Sequence, residues 1–466
     1  MGRGWLTPQE PIPGSDSGEV DFTGLPQAQR ELIAPIGMQD ELMAKVVIGA
    51  ESLAVDPAMR SSIAGSLAPP MEALRNGSID QRCAVAILDA FGGDAEAAKA
   101  ALMAARDAAA TLEQPLRGPA LARIDATEAA VSGRELTPDE SANLESMGYF
   151  HAVASALAPG QEAAAGEVRT GGVRAIVLLF VFFGVVLVAG IIGLVLLVVV
   201  AVKSMSRPLP ELAGSLRARM AAAEVFAIYL VAAAALNLLA IWTFRNRGGE
   251  ETDLGTVEVD ESLGVVGLAL QMALMCVPLL AMAWPRRAGI SWAETRSALG
   301  LHAGKGILRE AFSGLAIYCM MLPLVGCGLI AYVALTALFG GDDAPPSHPI
   351  VDEIRAGGAS VVLIMVLASV AAPVIEEIFF RGAFFGSLRA RWRGLGPWGA
   401  FIASALVSSY LFAAIHPQGI LFAPVLMGTA LALCIGRAWR GSLIGPMVAH
   451  GVNNGLVVLL NVAIWT

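Results

Sequence analysis

The sequence predicts an all-α protein: a polytopic bundle of about eight transmembrane helices preceded by a soluble helical domain. Three observations carry that reading. Of 466 residues, 56% are hydrophobic and only 15% charged, against about 25% charged in a typical soluble domain. From Arg174 onward, apolar runs recur at close to the ~20 residues that a membrane-crossing helix needs. Before that point Ala, Leu and Met alternate with Glu, Asp and Arg at helical spacing, as in DAEAAKAALMAARDAAATLE.

Residues 1–30 are rich in Pro, Gly and acidic side chains and read as a flexible tail. Residues 31–170 read as a small soluble all-helical domain, with helix breaks expected at APP (68–70) and FGGD (91–94). No motif there points to a function, and no fixed period marks a repeat. Residues 171–343 read as N-terminal transmembrane helices, with candidate spans at 175–202, 219–243, 262–284 and 306–339. Residues 344–466 add 398–415, 419–436 and 443–465. They also hold the stretch 356–392, which is too long for one span and short for two. Pro373 lies in its middle, where it can end one helix and open the next. His348, Asp352 and Glu353 read as a solvated loop or interfacial helix.

Charge placement bears on the span count. Basic residues cluster at Lys203, Arg207, Arg217 and Arg219, and again at Arg286, Arg287, Arg296 and Lys305. Further clusters fall at Arg389, Arg391 and Arg393, and at Arg437 and Arg440. Counting 356–392 as one crossing puts all of these on one side, the cytoplasmic side by the positive-inside rule. Counting it as two splits them. The rule favours eight spans within a range of seven to nine, although Arg245 and Arg247 run against it. It also puts the N-terminal domain outside the cytoplasm. No apolar signal-peptide core precedes residue 172, so that side stays open. The expected location is multi-pass in the bacterial inner (cell) membrane.

The net charge of −9 leaves no basic face able to track phosphates, which argues against a nucleic-acid partner. The five cysteines form no CxxC, so neither a disulfide framework nor a thiolate zinc site is expected.

The run VVLIMVLASVAAPVIEEIFFRGAFFG holds the chemistry. A carboxylate at bilayer depth costs about 2.5–3.5 kcal/mol even on lenient scales, so Glu376 and Glu377 side by side need a compensating reason. Glu377 and Arg381 stand at i,i+4 with the acid N-terminal, the favourable order for a helical ion pair, which neutralises the second acid and steadies the first. Two of the five histidines follow in apolar helices: His416, four residues after Phe412, and His450, four residues before Asn454. Glu376 and His416 each lie about 20 residues from the turn near Gly394–Pro397, so antiparallel packing at ~1.5 Å per residue brings them to one depth. His450 is only about ten residues past the turn near Arg440, and reaches that depth only if the last helix is displaced.

A Glu, two His and an Asn in a low-dielectric site suit hydrolysis. Carboxylate and imidazole are zinc ligands, and a bound metal lowers the pKa of water. Without metal, a desolvated Glu can itself take a proton from water. Asn454 could donate to a developing oxyanion. The structural alternatives are an ion-pair cluster in a transporter bundle for the glutamates and a helix cap for His416. For His450 the alternative is a satisfied core histidine, and for Asn453-Asn454 interhelical bonding. Glu224, in the second span, reads as snorkelling or paired within the bundle.

Glu376-Glu377-x-x-x-Arg381, Phe412-x-x-x-His416 and His450-x-x-x-Asn454 resemble, in order, the three motifs of the CPBP intramembrane proteases. That family includes the type II CAAX prenyl endopeptidases and bacteriocin-immunity proteins. The resemblance covers about residues 345–465. It implies an endopeptidase acting on a protein or peptide substrate at the lipid bilayer, with Glu376 as general base. His416 and His450 would position water or, with Glu376, hold a zinc ion, and Asn454 would stabilise the oxyanion. A catalytically silent scaffold or immunity protein is the second expectation from the family, and a transporter the third.

Overall fold

The computed structural model describes residues 26–206, 211–245, 272–339, 359–416 and 418–465. Every element among them is helical, and the chain divides into two compact units, 1–179 and 180–466.

The first unit contains α1 (Gln27–Leu32), α2 (Met38–Leu53), α3 (Pro57–Arg75), α4 (Ile79–Gly92) and α5 (Ala95–Ala110). It continues with α6 (Arg117–Val131), α7 (Pro138–Glu145), α8 (Tyr149–Ser155) and the start of α9 (Glu162–Ser206). Polar caps set several starts: Asp56 accepts from the Met59 N–H at 2.7 Å, while Ser78 with Gln81 and Thr137 with Glu140 form capping boxes. The core is built on α4, whose Cys83, Val85 and Ile87 are buried against Ile124, Leu144 and Phe150. Alanines at 84, 105, 126 and 130 keep the helices close.

The break expected at FGGD is present, where α4 stops and Gly93 adopts φ +89°. The break expected at APP is not, because Pro69 and Pro70 lie inside α3. Their missing N–H groups free carbonyls one turn earlier, at the exposed Gly65 and Ser66, where water can take the bonds. Helix α1 takes residues 27–30 out of the expected tail, while residues 1–25 lie outside the described residues. All five cysteines are free thiols.

The second unit holds the rest of α9, then α10 (Leu216–Arg245), a 3₁₀ segment (Val277–Ala288) and α11 (Trp292–Leu299). It ends with α12 (Ile307–Phe339), α13 (359–391), α14 (Gly396–Ala414), α15 (Gly419–Arg440) and α16 (Ile444–Trp465). Seven helices among the described residues, α9, α10, α12 and α13–α16, are long and apolar enough to cross a bilayer. The chain is a multi-pass membrane protein. Of the expected span 262–284, residues 262–271 lie outside the described residues. The remainder continues from a helical turn at 272–276 into the 3₁₀ segment, which contains Pro278 and Pro285. His348, Asp352 and Glu353 also lie outside the described residues. Glu224 is paired, accepting from the Trp284 indole N–H at 2.7 Å.

The ambiguous stretch crosses once, as the single span Val361–Arg391. Pro373 does not end it. The helix instead passes through a π turn at Leu367–Ala371, an α turn at Ala372–Glu376 and a second π turn at Glu377–Phe384 before finishing as α-helix. Widening the helix is one way to carry a proline without a break.

Helices α12 and α15 make the most extensive helix pair, and glycines set their spacing. A Cβ on Gly328 would lie 2.3 Å from the Pro424 carbonyl oxygen, and one on Gly428 would lie 2.5 Å from that of Leu324. Both backbones meet where no side chain fits, as at other small-residue interfaces in membranes. Gly328→Val or Gly428→Val should therefore force the helices apart at a cost of about 1–3 kcal/mol. The expected readout is a lowered thermal unfolding midpoint in detergent; an unchanged midpoint in both variants contradicts the close contact.

Candidate active site

Four helices supply the site: α13 brings Glu376, Glu377 and Arg381, α14 brings Phe412 and leads into His416, α16 brings His450 and Asn454, and α10 brings Tyr229. The second π turn starts at Glu377 and places seven consecutive residues, Glu377 to Ala383, in the protein interior. Such turns recur at functional sites because they redirect side chains within a helix.

The two glutamates part company here. Glu377 is fully buried and accepts from Arg381 Nη1 at 2.8 Å and from His450 Nδ1 at 3.0 Å, through the same Oε1. Arg381 is equally buried, and its guanidinium lies 4.4 Å from the Phe412 ring centroid. Glu376 keeps 18% of its side chain exposed and makes no hydrogen bond to another described residue at normal distance; its closest ionisable partner is His450 Nε2 at 3.8 Å. Within direct hydrogen-bond range that contact is too long, but a water can bridge it.

Both imidazoles are held in one tautomer. The Glu377 carboxylate can only accept while paired with Arg381, so His450 must donate from Nδ1 and turn Nε2 towards Glu376. The Phe412 carbonyl can only accept, so His416 donates from Nδ1 at 2.5 Å and leaves Nε2 open. The ionisable groups near the His416 ring are Glu376, His450 and Arg381. Phe412 ties the group together, with its ring centroid 4.4 Å from that of His416 and 6.0 Å from that of His450.

The displacement that His450 required is present. The Leu443 N–H donates to the Gly300 carbonyl at 3.0 Å, and a Cβ on Gly382 would lie 3.3 Å from Leu443 Cδ1. The last helix therefore begins level with Gly382 rather than at the helix ends. Seven residues on, His450 meets Glu376 and Glu377.

Asn454 donates from Nδ2 to the Ala368 carbonyl at 3.0 Å, and its Oδ1 accepts from Asn453 at 3.2 Å. Ala368 stands five residues before Pro373, so its carbonyl is the one that a π-register N–H at 373 would have bonded. Asn454 takes the place of the donor that proline lacks. Gly451 and Gly455 let α16 come close enough: a Cβ on Gly451 would lie 2.3 Å from the Ser369 carbonyl oxygen.

Sequence reasoning missed Tyr229. Its ring stacks on Phe379 at 4.1 Å, and Glu376 is the charged group acting on its hydroxyl. A phenol in the apolar run of α10 was the only signal available. It also missed Cys434, fully buried beside Arg381, Glu377 and Ser409.

The donor set can be tested for zinc. Each imidazole presents Nε2 with Nδ1 committed to an acceptor, which is how metal-binding histidines are held. Among the described residues, however, no three His, Cys, Asp or Glu side chains converge closely enough to hold an ion. Glu376, His416 and His450 as arranged do not form a metal site, and no step below passes through one.

Residues 358–456 match the family model described as type II CAAX prenyl endopeptidase Rce1-like, a range that contains Glu376, Glu377, Arg381, His416, His450 and Asn454. The chain is 28% identical over 131 residues to the membrane-embedded CAAX protease MroQ of Staphylococcus aureus (strain USA300), covering 28% of this chain and 51% of that protein. It is 30% identical over 131 residues to an uncharacterised 24.3 kDa protein of Escherichia coli, covering 27% of this chain and 58% of the other. The chain thus spans little more than half the length of these relatives. No solved structure matches it at a comparable level of similarity.

Removing one partner of a buried ion pair strands the other, at about 3–5 kcal/mol. Arg381→Met should accordingly lower the thermal midpoint sharply, and adding Glu377→Gln in the same chain should restore much of the loss. An Arg381→Met protein as stable as wild type contradicts this role for the pair.

Proposed function

Residues 358–456 belong to the CPBP family of CAAX-type membrane proteases, and from that premise we propose that the chain is a membrane-embedded endopeptidase whose water is activated by Glu376. One observation carries the assignment of the base: of two adjacent acids, Glu377 is spent on Arg381 and His450, whereas Glu376 is partly exposed and faces a histidine nitrogen across 3.8 Å.

In this reading a water lodges between Glu376 and His450 Nε2, hydrogen-bonded to both. As it attacks the scissile carbonyl, Glu376 takes its proton. The Nε2 lone pair of His450 orients the water, and Glu377, itself held by Arg381, fixes the ring through Nδ1 so that Nε2 stays aimed. His416, pinned by the Phe412 carbonyl, stands near Glu376 and His450 with Nε2 open. Asn454 has a second amide hydrogen beyond the one given to Ala368, available to the developing oxyanion. The proton held by Glu376 then passes to the leaving amine. The apolar surroundings of Ile375, Ile378 and Phe379 keep bulk water away and strengthen each of these interactions. The substrate is a protein or peptide segment presented at the bilayer.

Glu376→Ala and His450→Ala, tested in the full chain on a peptide library in lipid or detergent, should each lower cleavage by about 10²–10⁴-fold, the usual worth of a general base. Cleavage undiminished in Glu376→Ala overturns the assignment. A wild type that cleaves nothing while remaining folded favours a silent scaffold.

Metal dependence is a separate test. With Glu376 as base, protein stripped by a chelator should keep its activity. Loss on chelation, recovered with stoichiometric zinc, would require Glu376, His416 and His450 to close around an ion.

A further inference from the structure

Tyr229 has no part in the chemistry above, yet the packing fixes it beside the general base. It lies within the span of α10. Its ring stacks on that of Phe379, with centroids 4.1 Å apart and planes 13° apart, and meets Phe380 edge-on at 6.2 Å. Phe226, three residues earlier in α10, touches the ring at 5.9 Å and itself stacks on Phe384 at 4.3 Å. Phe226, Phe379 and Phe380 are buried. The phenol is therefore held against α13 on a residue only three positions from Glu376.

The side chains around it are apolar. Those partly buried against the same cluster include Val374, Leu411 and Met447, from the helices that carry Glu376, lead into His416 and carry His450. Tyr229 is the one member of that cluster with a hydroxyl. A tyrosine in such surroundings usually gives its O–H to an acceptor, and a donor left without one costs about 1–3 kcal/mol. Tyr229 is half-buried within the span and makes no hydrogen bond to another described residue. The ionisable group that acts on its hydroxyl is Glu376, the acid left outside the Arg381 pairing. Aromatic contacts thus fix the ring while the donor stays unspent, an arrangement accounted for when the acceptor arrives with the substrate.

The proposed reaction has a place for such a donor. Preorganised hydrogen-bond donors aimed at a developing oxyanion supply much of the stabilisation in acyl transfer. Asn454 has one amide hydrogen to offer after Ala368 takes the other. Arg381 is sealed in the interior, and both imidazoles commit Nδ1 elsewhere.

We propose that Tyr229 is a further catalytic residue, whose phenolic O–H donates to the oxyanion of the tetrahedral intermediate alongside Asn454. The role rests on the endopeptidase reading with Glu376 as base. As the water oxygen bonds to the carbonyl carbon, the π pair of the C=O bond moves onto its oxygen and Glu376 takes the water proton. Tyr229 keeps its own proton and hydrogen-bonds the new charge. On collapse the carbonyl re-forms, the C–N bond breaks and Glu376 passes its proton to the leaving amine. The bond from Tyr229 is strongest while the oxygen is charged, so it lowers the barrier rather than tightening substrate binding.

The test is Tyr229→Phe in the full chain, which keeps the stack on Phe379 and removes only the hydroxyl. On a peptide that the wild type cleaves, kcat should fall about 10²-fold, with KM and the thermal midpoint unchanged. Tyr332→Phe, which removes a hydroxyl from a ring of α12 packed on Phe422, should behave as wild type. Glu376→Gln is measured in parallel. Wild-type kcat in Tyr229→Phe beside an inactive Glu376→Gln overturns the role of Tyr229 and leaves the base in place. A raised KM at unchanged kcat overturns the oxyanion role and makes Tyr229 a substrate-binding residue. A lowered midpoint in Tyr229→Phe overturns it too, because the hydroxyl is then bonded within the fold. An active Glu376→Gln, or a folded wild type that cleaves nothing, overturns the endopeptidase mechanism and this role with it.

Discussion

The membrane unit is organised around one buried contact, the Glu377 carboxylate held between Arg381 and His450. Neither an acid nor an arginine is tolerated alone in such surroundings, because each would lose its hydration without recompense. Together they can stay ionised, and meeting that condition fixes much else. Glu377 and Arg381 must face inward, so α13 has one allowed rotation. His450 must come within 3.0 Å, so α16 has to start deep in the bundle, against Gly382 and Gly300. The imidazole Nδ1 is then committed to Glu377 and Nε2 is turned towards Glu376. Glu376, next in sequence and turned aside, is the acid left outside that pairing.

A second constraint is met close by with similar economy of parts. Pro373 withdraws one donor from α13, the helix widens to a π turn, and the orphaned Ala368 carbonyl is taken by Asn454 of α16. The irregularity at the proline and the placement of the last helix are therefore one arrangement. Gly451 and Gly455 bring the two backbones close enough for it to form. A side chain that family resemblance points to for oxyanion binding thus also supports the helix that bears Glu376, the proposed general base. Its two amide hydrogens allow both tasks.

How far the sequence reached can be judged residue by residue. Apolar periodicity is strong over whole spans, so the helical class and the crossing helices were legible, and one-sided clustering of Arg and Lys correctly resolved 356–392 as a single crossing. The i,i+4 spacing of Glu377 and Arg381 announced their ion pair, because that relation is local. Contacts between distant segments were harder to read. Helix-length arithmetic assumed that turns lie at the membrane surface, so His450 looked like the least certain member, yet it makes the most direct contacts to both glutamates. Proline rules misjudged both Pro69-Pro70 and Pro373: in one case the freed carbonyls are open to solvent, and in the other a π turn with Asn454 replaces the missing bond. Tyr229 offered only a phenol in an apolar run as its signal, since the packing of α10 on α13 is what brings it to Glu376.

The central claim is a division of labour between neighbouring acids, and the most direct test measures two properties of Glu376→Gln and Glu377→Gln side by side: peptide cleavage and the thermal midpoint in detergent. The account predicts that Glu376→Gln unfolds like wild type but does not cleave. It predicts that Glu377→Gln unfolds at a markedly lower temperature, because Arg381 is left charged and buried without its partner. An active Glu376→Gln enzyme, or a Glu377→Gln protein with the stability of wild type, would contradict it.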